Sequence, residues 1–172
     1  WEDATVQQTL DMSTAVDYAE EPSANPGVVQ YMFAGNILPS DQNYPGARTV
    51  VDFLKSLKKK GEHGQRFTYK SVDTEVIGLL LEKVTGKDFA TLVSERLWKP
   101  MGAQQDATVL KDRTGVALKG SGMSSSLRDL ARVGELVRLE GRFNGKQLLQ
   151  PGTVAELKKG GDPAVFKAGR GN

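Results

Sequence analysis

Tyr69 stands in the run Phe67-Thr68-Tyr69-Lys70-Ser71-Val72-Asp73-Thr74, where an extended stretch feeds directly into a helix start. A phenol so placed, beside a lysine that can lower its pKa and a serine that can hydrogen-bond, is equipped to give or take a proton. The same residues also suit a packing role, with Tyr69 wedged between strand and helix and Ser71 or Asp73 acting as caps. Both readings stand at this level. A second candidate is Ser56-Leu57-Lys58-Lys59, which spells S-x-x-K, the arrangement in which a lysine one helical turn away takes the serine proton during acyl transfer. Its setting argues against that use, because the serine falls late in a lysine-rich surface helix, whereas a nucleophile belongs at a helix start facing a cleft.

The remaining chemistry is bounded by what the chain lacks. There is no cysteine, which excludes disulfides, thiolate metal sites and cysteine nucleophiles. His63 is the single histidine, so a multi-histidine metal site cannot form; in the Gly-rich turn Gly61-Glu62-His63-Gly64 it reads as a plain exposed side chain. No metal or cofactor is expected. Lys55, Lys58, Lys59 and Lys60 form the one dense basic cluster and read as a solvated helix face, without the interleaved aromatics that stack on bases. With 23 Lys+Arg against 21 Asp+Glu, the net charge of +2 gives no reason to expect a nucleic-acid partner. No apolar run reaches the roughly 18 to 20 residues of a bilayer-crossing helix.

These candidates need elements to hold them, and the punctuation of helices is legible. Thr5, Asn25, Thr49, Asp73, Asp88 and Ser126 each precede a stretch with helical apolar spacing, and Pro151 opens a last short helix. The third helix should run from Val50 to the stop at Gly61. The fourth carries Ile77, Leu80, Leu81 and Val84 at i, i+3, i+4, i+7, a face that should be buried, and turns at Thr85-Gly86-Lys87 into a companion capped by Asp88. Phe67–Tyr69, Thr108–Leu110, Val116–Leu118 and Gln147–Leu149 read as short extended pieces. The stretches 12–25 and 38–46 are polar loops of the sort that line sites. The chain is expected to be a single, mainly α unit over residues 1–172, since 172 residues at 38% hydrophobic content supply one ordinary core.

Taken together, Phe67-Thr68-Tyr69-Lys70-Ser71, Ile77 through Gly86, and Glu95-Arg96-Leu97-Trp98-Lys99-Pro100-Met101-Gly102 resemble the class C β-lactamase-like serine hydrolase family. Gly120 through Gly134, Gly141 through Leu149, and Ala4 through Thr14 extend the resemblance over about residues 4 to 158. Within the family the similarity is to the branch of esterases and 6-aminohexanoate-dimer hydrolases. It implies a helical subdomain of the serine β-lactamase and penicillin-binding-protein fold, with a few short strands, and an acyl transfer to serine from an amide, ester or β-lactam.

On that resemblance Tyr69 is the catalytic tyrosine and Ser71 takes the third place of the Y-x-N motif, a departure from the commoner asparagine. Gly120, Ser121 and Gly122 are implied to bind substrate, and the loops around Tyr18 and Tyr31 to wall the pocket. The S-x-x-K that should precede Thr5 and the K-T-G or H-x-G strand that should follow Phe166 are not in the chain. The segment is therefore expected to be excised from a larger α/β hydrolase, with flanking β-sheet parts absent, to be inactive alone, and to self-associate through an apolar face that removal of the β-sheet partner exposes on the Ile77–Val84 helix or its neighbours. The alternative is a non-catalytic binding or sensor domain that kept the fold. The residues leave the substrate and the compartment unassigned, since the family includes both exported and cytoplasmic proteins.

Overall fold

Thr5, Thr49, Asp88 and Ser126 each turn a side-chain oxygen onto a backbone N–H three residues ahead, and each does open a helix. The computed structural model describes residues 1–21 and 26–169. In order the elements are α1 (Val6–Leu10), α2 (Gly27–Ala34), α3 (Val50–Ser56), α4 (Ser71–Thr85), α5 (Phe89–Val93), β1 (Thr108–Val109), β2 (Met123–Ser124), α6 (Leu127–Arg138), β3 (Arg142–Phe143), β4 (Lys146–Gln147), α7 (Thr153–Lys159) and α8 (Pro163–Gly169). The chain is mainly α. Its strands form two separate two-stranded antiparallel pairs, β1 with β2 and β3 with β4.

The core lies where α2 and α3 meet the first turn of α4: Phe53 sits between the rings of Tyr18 and Tyr31, with centroids 6.2 and 6.1 Å away, and Val72 and Leu118 close the cluster. Such aromatic pairs add specificity to the apolar burial. Tyr31 belongs to α2 and not to a loop. The cap expected from Asn25 lies outside the described residues; Pro26 occupies the position before α2.

Helix α4 departs most from expectation. The stripe expected to be buried is largely open, with Leu80 42%, Leu81 48% and Val84 84% exposed. The buried stripe is Ser71, Glu75, Gly78 and, half-buried, Glu82, spaced i, i+4, i+7, i+11. Asp73 does not cap the helix. It lies inside the first turn, fully buried, while Lys70 takes the preceding extended position. Gly86, in the left-handed region at φ +68°, ends α4 and allows the tight hairpin into α5.

Three smaller corrections follow from the same physics. Helix α3 stops at Ser56 because Lys58, Lys59 and Lys60 leave as an extended strip bridged to residues 15–17, so these lysines are not one helix face. Asp162 and Pro163 open α8, which packs Phe166 on Phe67 at 5.1 Å, one helix beyond the last that the sequence predicts. Beyond α5 the chain widens into a π-helical turn, Ser94–Trp98. That turn aims the Trp98 Nε1–H at the Gln105 carbonyl, 2.8 Å away.

The backbone N–H groups of Gln104 and Gln105 then donate to the two oxygens of Asp129, at 2.9 and 3.1 Å, and Ser126 and Arg132 complete its partners. These bonds, the Gln104 N–H first among them, hold the Asp129 carboxyl below the ordinary aspartate range. A depressed folded-state pKa gives stability that is present above about pH 3.9 and lost as pH falls through the lower folded value. Asp129→Asn is therefore expected to lower Tm at neutral pH, with the gap to wild type closing in acid. Thermal melts of both chains from pH 7 down to pH 2 check this, and a gap constant with pH would contradict it.

Candidate active site

The Tyr69 segment is held from both sides by main chain. The Thr68 N–H donates to the Met12 carbonyl at 2.9 Å, and Phe67 N–H to the Val165 carbonyl at 2.9 Å. Tyr69 itself is 55% exposed, so its phenol faces outward from a fixed backbone. Its neighbour Lys70 is not free to act on it: the ammonium donates to the Thr14 carbonyl at 2.6 Å beneath the helix start. Thr14 Oγ1 and Trp1 Nε1 in turn donate to Asp73, at 2.8 Å each. Burial drives both charged partners toward neutrality, raising the Asp73 carboxyl and lowering the Lys70 ammonium, while their mutual attraction opposes it.

Ser71 begins α4, and its N–H donates to Glu20 at 2.5 Å. Tyr18 lies buried close by, its phenol raised first by burial and then by the charge of Glu20, with Tyr69 acting in the same direction. Gly120 packs on the same helix end so closely that a Cβ there would lie 2.5 Å from the Ser71 carbonyl oxygen. Ser121 Oγ is 3.1 Å from the Tyr31 hydroxyl. The structure thus brings Ser71, Gly120 and Ser121 together immediately after Tyr69. Gly122 is different: at φ +82° it turns the chain against Leu110, whose N–H donates to the Gly122 carbonyl at 3.0 Å.

What seats residues 119–121 on α4 was not visible as chemistry in the sequence. Glu75, fully buried, accepts at one oxygen from Lys119 N–H and Gly120 N–H, each at 2.9 Å, and from Tyr31 at 2.7 Å. The Lys119 side chain crosses α4 over Gly78 and ends 3.2 Å from a Glu82 oxygen, an ion pair outside hydrogen-bond angle, with that side chain 1% exposed. The other Glu82 oxygen accepts from Phe89 N–H at 2.8 Å and closes the α4–α5 hairpin. A reading for carboxylates at helical spacing on either side of a glycine, as in Glu75, Gly78 and Glu82, would have found this stripe.

Two other candidates resolve into structural roles. Ser56 ends α3, donates to the Phe53 carbonyl at 2.7 Å, and faces solvent, while Lys59 pairs with Asp3. The S-x-x-K spelling therefore holds no serine–lysine contact. His63 is not exposed as expected but buried, because its Nδ1 accepts the Ala15 N–H at 2.8 Å and Nε2 meets Asp3 at 3.1 Å. Among the described residues no cluster of His, Asp and Glu is placed to hold a metal ion, and no helix is long and apolar enough to cross a membrane.

The family model for Beta-lactamase matches residues 1–171, close to the whole chain. The chain belongs to the beta-lactamase family. This family member is 31% identical over 165 residues to 6-aminohexanoate-dimer hydrolase from Paenarthrobacter ureafaciens, across 91% of this chain and 40% of that protein. A solved structure from Bacillus anthracis, provisionally named 6-aminohexanoate-dimer hydrolase, superposes with a TM-score of 0.85 at 33% identity, covering 96% of this chain and 44% of that one. A provisionally named beta-lactamase from Bacteroides dorei DSM 17855 shares the fold at a TM-score of 0.55 and 20% identity, over 87% and 51% of the two chains. The chain spans less than half the length of the 6-aminohexanoate-dimer hydrolases it matches.

The Lys119 crossing generates a direct test. A Cβ at Gly78 would sit 2.3 Å from Lys119 Cγ, so Gly78→Ala is expected to cost about 1–3 kcal/mol, against a helix-propensity gain of about 1 kcal/mol. Combining it with Lys119→Ala should recover part of that clash, by removing Cγ and Cδ while leaving Cβ 2.8 Å away. A double-mutant cycle by chemical denaturation reads the coupling, and additive losses would show that the two residues do not meet.

Proposed function

We propose that these residues are the helical part of a longer serine hydrolase that opens an amide, ester or β-lactam through an acyl-enzyme, and that they are inactive alone. Tyr69 is the proton-transfer group. Ser71, Gly120 and Ser121 form the adjoining pocket wall, and Gly122 shapes the turn that ends it. The carrying observation is the half-exposed Tyr69 phenol on a backbone pinned from both sides, next to the Ser71–Gly120 contact. Reacting groups work when their support is rigid and their tips are accessible. The names of the relatives at 31% and 33% identity favour a linear amide among the substrate classes.

The nucleophile and its lysine are placed by this reading outside the described residues, consistent with the part-length coverage of the relatives and the separation of Ser56 from Lys59. The open face of α4 at Leu80, Leu81 and Val84 is where we place the rest of that chain, or a second copy in its absence. A non-catalytic binding domain is the second reading, favoured by Ser71 standing where the motif commonly has asparagine.

Intact mass spectrometry after a fluorophosphonate and, separately, a penicillin separates the two. An adduct on the longer chain with none on these 172 residues is expected; label on Ser56 would overturn the placement of the nucleophile, and no label on either would favour the binding domain. In the longer chain Tyr69→Phe should lower kcat about a hundred- to ten-thousandfold. Tm should hold, because the hydroxyl removed is on an exposed side chain.

A further inference from the structure

Residues 119–121 carry a hydrogen-bond direction as well as a shape. One oxygen of Glu75 already accepts two backbone N–H groups, from Lys119 and Gly120, which leaves no room on it for a proton pointing at Tyr31. At 2.7 Å the Tyr31 hydroxyl must therefore donate to Glu75. Burial first, and then the Glu75 charge, raise the Tyr31 phenol well above its ordinary range, so it keeps the proton it donates. A phenol has one O–H, and this one is spent. Across the 3.1 Å contact, Ser121 must then donate to Tyr31. Ser121 also has a single O–H, and its remaining capacity is two lone pairs. The residue is half-buried and thus reachable, and Gly120 beside it presses on the Ser71 carbonyl, next to Tyr69.

We propose that Ser121 is a specificity residue that presents an acceptor-only oxygen to the substrate, its direction set through Tyr31 by Glu75, and that it selects a group bearing N–H, an amide, over the matching ester. This rests on the hydrolase reading and deepens it by naming what one wall of the site recognises. Glu75 and Tyr31 act through Ser121 and are positioning residues. A hydroxyl free to rotate would donate to an ester oxygen as readily as it accepts from an amide; one locked as an acceptor offers the ester only repulsion between lone pairs.

The test uses a matched pair with one acyl group, hexanoyl p-nitroanilide and p-nitrophenyl hexanoate, on the longer chain. Ser121→Ala is expected to lower the amide-to-ester ratio of kcat/KM by about five- to thirtyfold. Ser121→Thr, which keeps the hydroxyl, should restore most of the ratio. Tyr31→Phe should shift it in the same direction as alanine at 121, since the serine proton is then released. A ratio unmoved by both Ser121→Ala and Tyr31→Phe, with hydrolysis intact, overturns the inference and leaves the hydrolase reading standing.

If wild type turns over neither substrate, the hydrolase reading falls and a binding arm decides the inference. Amide chemical shifts of the 172-residue chain are followed while hexanamide or methyl hexanoate is added. Shifts at Gly120 to Gly122 with hexanamide, absent with methyl hexanoate and lost in Ser121→Ala, support the acceptor assignment. Equal responses to the two probes refute it.

Discussion

Two buried carboxylates in the opening turns of α4, Asp73 and Glu75, are the constraint around which this molecule is arranged. Two residues apart on a helix, they face different neighbours. Asp73 gathers Trp1 and Thr14 and so fixes the N-terminal stretch beneath the helix start. Glu75 gathers Tyr31 and the main chain of Lys119 and Gly120, and so fixes α2 and the crossing loop above it. Tyr69 lies two residues before α4, on the strand of chain that leads into this doubly anchored helix start. Its backbone is held by the Thr68–Met12 and Phe67–Val165 bonds, and the carboxylates fix the helix start that follows it.

Such an arrangement is costly in one currency and useful in another. A carboxylate taken out of water loses several kcal/mol of hydration, which hydrogen bonds restore in part. Glu75 restores it unevenly, with three donors on one oxygen and none at hydrogen-bond geometry on the other among the described residues. Apolar residues of similar size would pack here at no such cost, but they would not specify which loop lies on the helix or at what height. The charged stripe fixes the register of residues 118–121 against Ser71, Gly78 and Glu82 together. Directional bonds choose among alternatives that dispersion leaves nearly equal.

The ends of helices were legible in the sequence because capping is local: a threonine, serine or aspartate three residues before its partner needs no knowledge of the rest of the fold. The family blocks around Tyr69, Trp98 and Gly120 were legible for the same reason, as contiguous words. What failed was long-range. Periodicity assigns Ile77, Leu80, Leu81 and Val84 to the interior because apolar residues usually go there, and it has no way to see that residues 118–121 would arrive to cover the opposite, polar stripe. His63 looked exposed for want of a local partner, and its partners, Ala15 and Asp3, are some fifty to sixty residues away. Tyr31 falls within the helix that the spacing after Asn25 predicts, but its bond to Glu75 spans 44 residues and has no local sign. The contact of Ser71 with Gly120 could be suspected only through the family, since nothing in either run names the other.

The π-helical turn at Ser94–Trp98 acts as a phase shifter. In an α-helix each residue advances the side chains by about 100°, so a turn that accommodates one residue more than α geometry rotates everything beyond it by about that angle. Here the rotation delivers Trp98 to Gln105, and through Gln104 and Gln105 to the carboxylate that starts α6. Losing a single residue from this turn would leave every downstream bond chemically available and point the indole away from it. The spacing between the α4–α5 hairpin and α6 is thus carried by a count of residues as much as by their chemistry.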